Sequence, residues 1–537
     1  MKVMKLFIVE SPVKAKTIRK FLGKEFIVKA TAGHIRDLPS KELGIEEESL
    51  KAKYVYVKGK KKLVEDLKKL AKKCKEVYIG TDPDREGETI AFFVREEIRK
   101  VNPNIKRAIF FEITPKAIKE SIRKAGDINM NLVYAQFARR ILDRLIGYKV
   151  SPHLWRTFRS FRLSAGRVQS PALRLIVERE MEIREFKPKT YYYVKAVFNI
   201  GENKLEAVYD YRYENPSDAQ IILEKIKKGI FRVSEIDVKK EAISPPKPFI
   251  TSSLQAEANS LLGFSPEKTQ SIAQRLYEEG FITYPRTDSY RMNEEKAKEF
   301  IEYIRKNYGG KYAGKIRQFK DAKLSQGAHE CIRPVSLYVY PEEKEQKLLY
   351  DLILKRTLAS LMSACEVERI KVYIEVLSPD LKESITMVAK MVRVLFKGWT
   401  LIYPYDIEEN YVGNIKEGDI LKAEDIFIDK KRTQPPPRYT EGSLVKTLEK
   451  LGIGRPSTYA MLTGLLKKRG YVRLNKRSLV PSDVAFEVID YLKENFHTLM
   501  EYSFTADMER KLDEIEEGKR NWKEVVKEIK NKVLPYD

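Results

Sequence analysis

The sequence predicts a multidomain protein: an N-terminal α/β domain on a parallel sheet, followed by helical and β-rich domains. Three observations predict it. The chain has 537 residues, well above the roughly 150 residues that one domain usually takes. Its first hundred residues alternate short apolar runs with amphipathic helical patterns, as parallel strands joined by crossover helices do. Two proline clusters, Pro245-Pro246-Lys247-Pro248 and Pro435-Pro436-Pro437, interrupt the middle, and such runs continue neither helix nor sheet.

The elements follow in order. Leu6-Phe7-Ile8-Val9 reads as a buried strand, and a helix runs from Lys14 to Phe21 after the Glu10-Ser11-Pro12 turn. A second helix over Leu63 to Cys74 leads to a second apolar strand, Val77-Tyr78-Ile79, and then to a helix from Thr89 to Arg99. A parallel sheet of this kind places its ligand site at the carboxyl ends of the strands. Residues 129 to 185 are mainly helical. Tyr191 to Tyr209 and Arg369 to Tyr403 alternate apolar and polar residues, as half-buried strands do. The prolines then bracket a helical lobe carried on a β-rich arm made from two pieces of chain, unless both clusters are ordinary surface loops. The expected domains are 1–128, with part of 37–60 packing on the helical base; 129–185 with 440–537; 186–250 with 365–439; and 251–364.

Composition narrows the function. Lys+Arg 102 against Asp+Glu 77 leaves a net charge of +25, while 43% of residues are hydrophobic. A folded, strongly basic chain points to a polyanionic partner, nucleic acid first. A charge-rich surface of the heat-adapted kind explains the 33% charged residues but not the excess of one sign. Three cysteines, Cys74, Cys331 and Cys365, lie far apart, which excludes a disulfide scaffold and a zinc ribbon. No apolar run approaches the roughly 18 residues of a membrane span. The opening Met1-Lys2-Val3-Met4-Lys5-Leu6-Phe7-Ile8-Val9 is too short for a leader and runs into Glu10, so a cytoplasmic protein without a membrane is expected.

The strongest chemical signal is Gly80-Thr81-Asp82-Pro83-Asp84-Arg85-Glu86-Gly87-Glu88, directly after a buried strand. In an extended segment alternate side chains share a side, so Asp82, Asp84 and Glu86 can converge on one hard cation, and Mg²⁺ suits an all-oxygen set. An acidic turn facing the positive start of the next helix is the alternative, and it needs fewer carboxylates. Glu10, at the end of the first strand, belongs beside this loop, where crowding raises its pKa and makes it a candidate general acid and a fourth ligand. Lys14, one turn later, can reach a phosphate bound at the same site. A second signal is Phe281-Ile282-Thr283-Tyr284-Pro285-Arg286-Thr287-Asp288-Ser289, after a helix opened by Ser265-Pro266 and closed by Gly280. A short strand there delivers Tyr284 to a turn. A phenol with a pKa of about 10 becomes a useful nucleophile only beside cations such as Arg286. With 30 tyrosines in the chain, spacing alone leaves Tyr284 structural by default.

Gly327-Ala328-His329-Glu330-Cys331-Ile332-Arg333-Pro334 adds an imidazole and a guanidinium, equally suited to a phosphate or to a helix start. Gly309-Gly310-Lys311-Tyr312-Ala313-Gly314-Lys315 imitates a nucleotide loop, but Ile316 replaces the required hydroxyl, so ATP is not implied. For DNA, Trp155-Arg156-Thr157-Phe158-Arg159-Ser160-Phe161-Arg162, with Arg167 and Arg174, interleaves arginines and aromatics as single-strand binders do. Arg139, Arg140, Asp143, Arg144 and Tyr148 follow helical spacing and can line the same groove. Gly454-Arg455-Pro456-Ser457-Thr458-Tyr459 opens a capped helix that ends in Lys467-Lys468-Arg469-Gly470, a phosphate contact or a solvated basic helix end.

Together these segments resemble a type IA DNA topoisomerase of the bacterial topoisomerase I kind. The matches run in order from Val9-Glu10-Ser11-Pro12-Val13-Lys14 through Gly33-His34-Ile35-Arg36-Asp37-Leu38-Pro39, the 82–86 loop and Leu163-Ser164-Ala165-Gly166-Arg167-Val168-Gln169-Ser170. They continue through the Tyr284 segment and Gly452 to Tyr459, and end at Phe504-Thr505-Ala506-Asp507-Met508-Glu509. The resemblance implies a Toprim domain first and a four-domain torus wide enough for DNA. It implies attack by Tyr284 on single-stranded DNA to give a 5′-phosphotyrosine, with Glu10 protonating the leaving oxygen, Lys14, Arg286 and His329 assisting, and Mg²⁺ on Asp82, Asp84 and Glu86. It places Arg140, Asp143, Arg144 and Tyr148 in the upstream strand groove and carries His34, Arg139, Arg156, Gln169, Ser170, Arg455, Ser457 and Thr458 as further DNA contacts. The expectation is ATP-independent relaxation of negatively supercoiled DNA by a monomer without cysteine ribbons. A topoisomerase III-like decatenase, a Toprim primase or nuclease, and a non-catalytic single-strand binder remain as alternatives. Pro285 is shared with the topoisomerase III branch, whereas Glu10-Ser11-Pro12-Val13-Lys14 favours topoisomerase I.

Overall fold

A computed structural model describes residues 4–319 and 329–533. Met1 to Val3, and Gly327 and Ala328 of the histidine motif, lie outside the described residues. The N-terminal domain holds a four-stranded sheet in the order Phe26–Ala30, Lys5–Val9, Glu76–Ile79, Ile105–Arg107, with every pair parallel. Its first strand is apolar from Leu6 to Val9 because both faces are covered: Leu6 and Ile8 join one cluster, Phe7 and Val9 another.

Helix starts are set by caps that lie upstream of the apolar pattern. Ser11 accepts from the Lys14 N–H and Pro12 takes the first position, so that helix spans Pro12–Arg19. The helix expected from Thr89 begins instead at Arg85, because the Asp84 carboxylate accepts from the Gly87 N–H at 2.7 Å. Asp84 is therefore extended, whereas Glu86 already stands on the helix. The strict alternation expected of residues 82, 84 and 86 does not exist.

A seven-stranded antiparallel sheet is woven from strands at 190–243 and 365–432, with Pro216–Lys227 packed on one face through Ala219, Leu223 and Ile226. Helices Thr251–Glu257, Pro266–Glu278, Glu294–Tyr308 and Lys344–Leu361 form a lobe. The strand expected before Tyr284 is a single bridge, Ile282 to Pro334. Helices Met130–Phe158 and Gln169–Glu185 share one core with Glu441–Lys450, Asp483–Asn495, Tyr502–Glu516 and Trp522–Val533, and Leu38, Ile45 and Leu50 enter it from the N-terminal part. A hairpin, Val472–Asn475 with Ser478–Pro481, interrupts the helical tail. Its turn puts Lys476 in the left-handed region without a glycine, so the usual hairpin signal is missing.

Neither proline cluster dangles. Arg317 donates to the carbonyls of Pro245 (2.8 Å), Pro246 (2.7 Å) and Ser360 (2.9 Å). Arg179 donates to Pro437 O at 2.7 Å and lies over the Tyr439 ring. The N-terminal domain and the lobe share a core in which Phe7, Val9 and Phe110 meet Leu276, Tyr277 and Tyr284. That shared core closes the site.

Candidate active site

Two strand ends, a helix start and one loop build the site. Glu10 follows the first strand, Asp82 and Asp84 follow Glu76–Ile79, and Glu86 opens the next helix. Tyr284 arrives from the lobe, where its N–H donates to Phe111 O at 2.8 Å. The loop carrying it is fixed from below: Thr251 Oγ1 donates to Pro285 O and Thr287 O (2.8 and 2.9 Å) and accepts from Thr287 N–H. Thr283 Oγ1 donates to Cys331 O at 2.7 Å.

Tyr284, 2% exposed, donates through its hydroxyl to Asp84 Oδ2 at 2.6 Å. Burial, and then the Asp84 charge, push its pKa well above the ordinary phenol value, so the resting group is a neutral phenol. Arg286 pairs with Glu86 at 2.9 Å and reaches Asp84 Oδ2 at 3.5 Å. His34 bonds the other Glu86 oxygen at 3.0 Å. That bond and the Arg286 charge outweigh burial and hold the Glu86 carboxyl well below its usual range. His329 stands edge-on to the Tyr284 ring at 5.9 Å, and burial lowers its pKa, so it meets the ring as a neutral imidazole.

Lys14 is fully buried between two carboxylates, donating to Asp82 Oδ1 at 2.6 Å and to Glu10 Oε1. Burial opposes its charge, but Asp82 and Glu10 outweigh burial and raise its pKa. Glu10 is pushed up to about 8 by burial and by the Asp82 charge, against the pull of Lys14. A carboxyl in that range holds a proton near neutrality and can release it to an alkoxide.

The donor set is all oxygen, which suits a hard cation, and Glu10 Oε2 is buried without a hydrogen-bond partner. Among the described residues, however, no three acidic, histidine or cysteine side chains converge as metal ligands do. Lys14 holds Glu10 and Asp82, Arg286 and His34 hold Glu86, and Asp84 serves the helix cap and the tyrosine. The set fits Mg²⁺ in its chemistry, provided these cationic partners give way.

The expected DNA residues divide. Arg139 donates to Ser457 Oγ at 2.9 Å, and both line a cleft with Asp84, Glu86, Arg286 and Arg455. Arg140 bonds Asp37 at 2.6 Å, Arg144 donates to Pro39 O and Tyr148 Oη, and Tyr148 is 37% exposed. Arg156 is exposed, as is Phe161 at 82%, against Trp155. Four others are turned inward. Arg167 is buried on Asp143 and Glu509, Gln169 donates to Ser164 O at 3.0 Å, Ser170 Oγ accepts from Gly166 N–H, and Thr458 Oγ1 caps its own helix through Arg455 N–H.

Several partners escaped the sequence reading. Gln274 donates to Asp82 Oδ2 and to Glu278, which accepts from Ser11. Arg107, fully buried on Glu88, also donates to Asp82 O at 2.8 Å and so fixes the acidic loop. Gly87 packs against that loop, and a Cβ there overlaps the Asp82 carbonyl oxygen and lies 2.8 Å from its nitrogen. Gly87→Ala is therefore expected to cost about 1–3 kcal/mol of stability and to displace Asp84 from Tyr284; thermal melting and oligonucleotide cleavage check it.

Beneath the cleft, buried Glu509 pairs with Arg167 and feels Arg455, Arg139 and Arg85. Burial alone would raise its pKa, but these arginines, Arg167 first, lower it to about 2. Such a depressed carboxyl contributes stability that is fully present above pH 4.5 and is lost as pH falls toward about 2, because the unfolded chain takes up the proton first. Glu509→Gln is expected to flatten that acid limb in a melting-temperature series against pH.

Residues 5–113 match the Toprim domain and residues 127–527 match the DNA topoisomerase family, so the chain belongs to the DNA topoisomerases, a family of isomerases. Among its relatives, DNA topoisomerase 1 of Aquifex aeolicus is 62% identical over 532 residues, covering 99% of this chain and 98% of the relative. DNA topoisomerase 1 of Campylobacter jejuni is 40% identical, covering 98% of this chain and 77% of the relative. The full-length topoisomerase I structure from Thermotoga maritima superposes with a TM-score of 0.88 at 40% identity, over 98% of this chain and 89% of that one. Among the described residues no helix is long and apolar enough to cross a membrane.

Proposed function

We propose that the chain relaxes negatively supercoiled DNA without ATP, as a cytoplasmic monomer, by cutting and resealing one strand through Tyr284. The observation that carries this is the 2.6 Å bond from the Tyr284 hydroxyl to Asp84, with Arg286 and Lys14 in the same buried site. Asp84 takes the phenol proton as Tyr284 Oη attacks a phosphodiester of an unpaired segment. The bond from phosphorus to the 3′ oxygen breaks, and Glu10 gives that oxygen its proton. The DNA is left 5′-linked to Tyr284 with a free 3′-OH. Resealing reverses each transfer: the 3′-OH returns its proton to Glu10, attacks phosphorus, and Tyr284 leaves.

Arg286 and Lys14 oppose the charge on the phosphoryl oxygens, where a low dielectric strengthens them. His329, neutral and edge-on, fixes the plane of the tyrosine ring. Mg²⁺ held by Asp82, Asp84 and Glu86, with Glu10 adjoining, would supply positive charge for the DNA phosphates. Arg140, Arg144 and Tyr148 would carry the strand upstream, with Arg139, Arg455 and Ser457 lining its path into the cleft. Bond energy is conserved in the phosphotyrosine, so no nucleotide is consumed.

Plasmid relaxation tests this. Activity is expected with Mg²⁺ and no ATP, to vanish on chelation, and to return when Mg²⁺ is restored. A requirement for ATP, or unchanged activity in chelator, would contradict the proposal.

A further inference from the structure

The β-rich arm carries an aromatic and basic surface remote in sequence from Glu10, the 82–86 loop and Tyr284. On strand Thr190–Ile200, Tyr191 and Tyr193 lie on the face opposite the buried Val194, Ala196 and Phe198, with ring centroids 5.6 Å apart. Arg212, exposed on the neighbouring strand, holds its guanidinium 4.2 Å from the Tyr191 ring. On the other side Lys431 pairs with Tyr191 across the sheet, flanked by Lys430 and Arg432. Just before the strand Lys187 and Lys189 are exposed, and Lys189 is tied by its backbone to Thr433 at 2.9 and 3.0 Å. The two basic segments are thus neighbours in space.

The carboxylates of this face are already engaged. Asp429 is taken by Lys195 at 2.8 Å and Lys431 at 3.2 Å, and Glu206 by Lys195 at 2.7 Å. Lys430 and Arg432, opposite Tyr192 and Thr190, belong to the other face of the sheet, while among the described residues Lys187 and Lys189 form no ion pair with a carboxylate. Against this excess stands Asp210, two residues before Arg212 on the same strand. Paired rings on a sheet face, bordered by free cations, match unstacked bases on a phosphate backbone, whereas a duplex offers those rings no base to stack on.

We infer that the arm face around Tyr191, Tyr193, Arg212, Lys189 and Lys431 is a second binding surface for single-stranded DNA, outside the cleavage cleft. It engages unpaired strand beyond the segment being cut, and its failure would leave the chemistry at Tyr284 untouched.

The test uses the full chain and labelled oligothymidylates. One is about 10 nucleotides long, a length one site covers, and one about 40. Tyr191→Ala with Tyr193→Ala is expected to weaken binding of the long oligonucleotide at least about tenfold and to leave cleavage of a short one unchanged. Tyr191→Phe with Tyr193→Phe should retain wild-type affinity, since the rings remain. Lys189→Glu, Arg212→Glu and Lys431→Glu together should reduce the salt dependence of long-strand binding by about two phosphate contacts. Unchanged affinity and salt slope in the alanine and glutamate variants would overturn the inference. So would a loss as large on duplex DNA as on the single strand.

Discussion

Tyr284→Phe is expected to abolish both the covalent DNA adduct and plasmid relaxation while leaving the fold intact. The ring keeps its place between Tyr277 at 5.2 Å and His329 at 5.9 Å, so packing is preserved. What disappears is the hydroxyl and its bond to Asp84, about 1 kcal/mol of stability. Activity, in contrast, loses its nucleophile, and a fall on the order of 10⁴ or more is expected. DNA affinity measured by anisotropy should be nearly unchanged, because the cleft residues on the base remain. Weakened binding with residual relaxation would show that the tyrosine positions DNA and does not attack it.

Lys14→Met has the second largest expected effect. The ammonium is fully buried and separates Glu10 from Asp82. Its removal leaves two carboxylates facing each other without compensation, and breaking a buried pair in this way typically costs about 3–5 kcal/mol. The local response is uptake of a proton by the Glu10–Asp82 pair, so the fall of folding stability with rising pH, already expected in the wild type from the raised Glu10 pKa, should steepen in the variant. The cleavage rate also loses a fixed positive charge near the phosphate, which is expected to lower it by roughly 10²–10³. Single-turnover cleavage at saturating enzyme separates this from binding. A single-turnover rate equal to wild type would assign Lys14 a purely structural role.

Much of this arrangement was readable before the fold. The run Leu6 to Val9 announced a strand covered on both faces, and Gly80 to Glu88 marked the acidic loop beyond the second apolar strand. The ordered matches, more than any single spacing, singled out Tyr284 from thirty tyrosines. The detailed geometry was not readable. Three carboxylates at alternate positions suggested an extended ligand set, but Asp84 stops the extended segment by capping the helix. Cap chemistry at one residue therefore redirected Glu86 toward Arg286 and His34. Arg167 looked like a DNA arginine by composition, yet its partners Asp143 and Glu509 are 24 and 342 residues away. Gln274, Thr251 and Arg107 act through contacts between distant segments, and no local pattern marks them.

The most direct measurement is the chemical identity of the protein–DNA linkage. Denaturing the enzyme during cleavage of an end-labelled single strand, then digesting with protease and sequencing the adduct peptide by mass spectrometry, names both bonded atoms. The expected result is a peptide containing Tyr284 joined through its phenolic oxygen to the 5′ phosphate, with a free 3′-OH on the other fragment. Linkage to a 3′ phosphate, an adduct on another residue, or relaxation with no adduct at all would contradict the proposed chemistry.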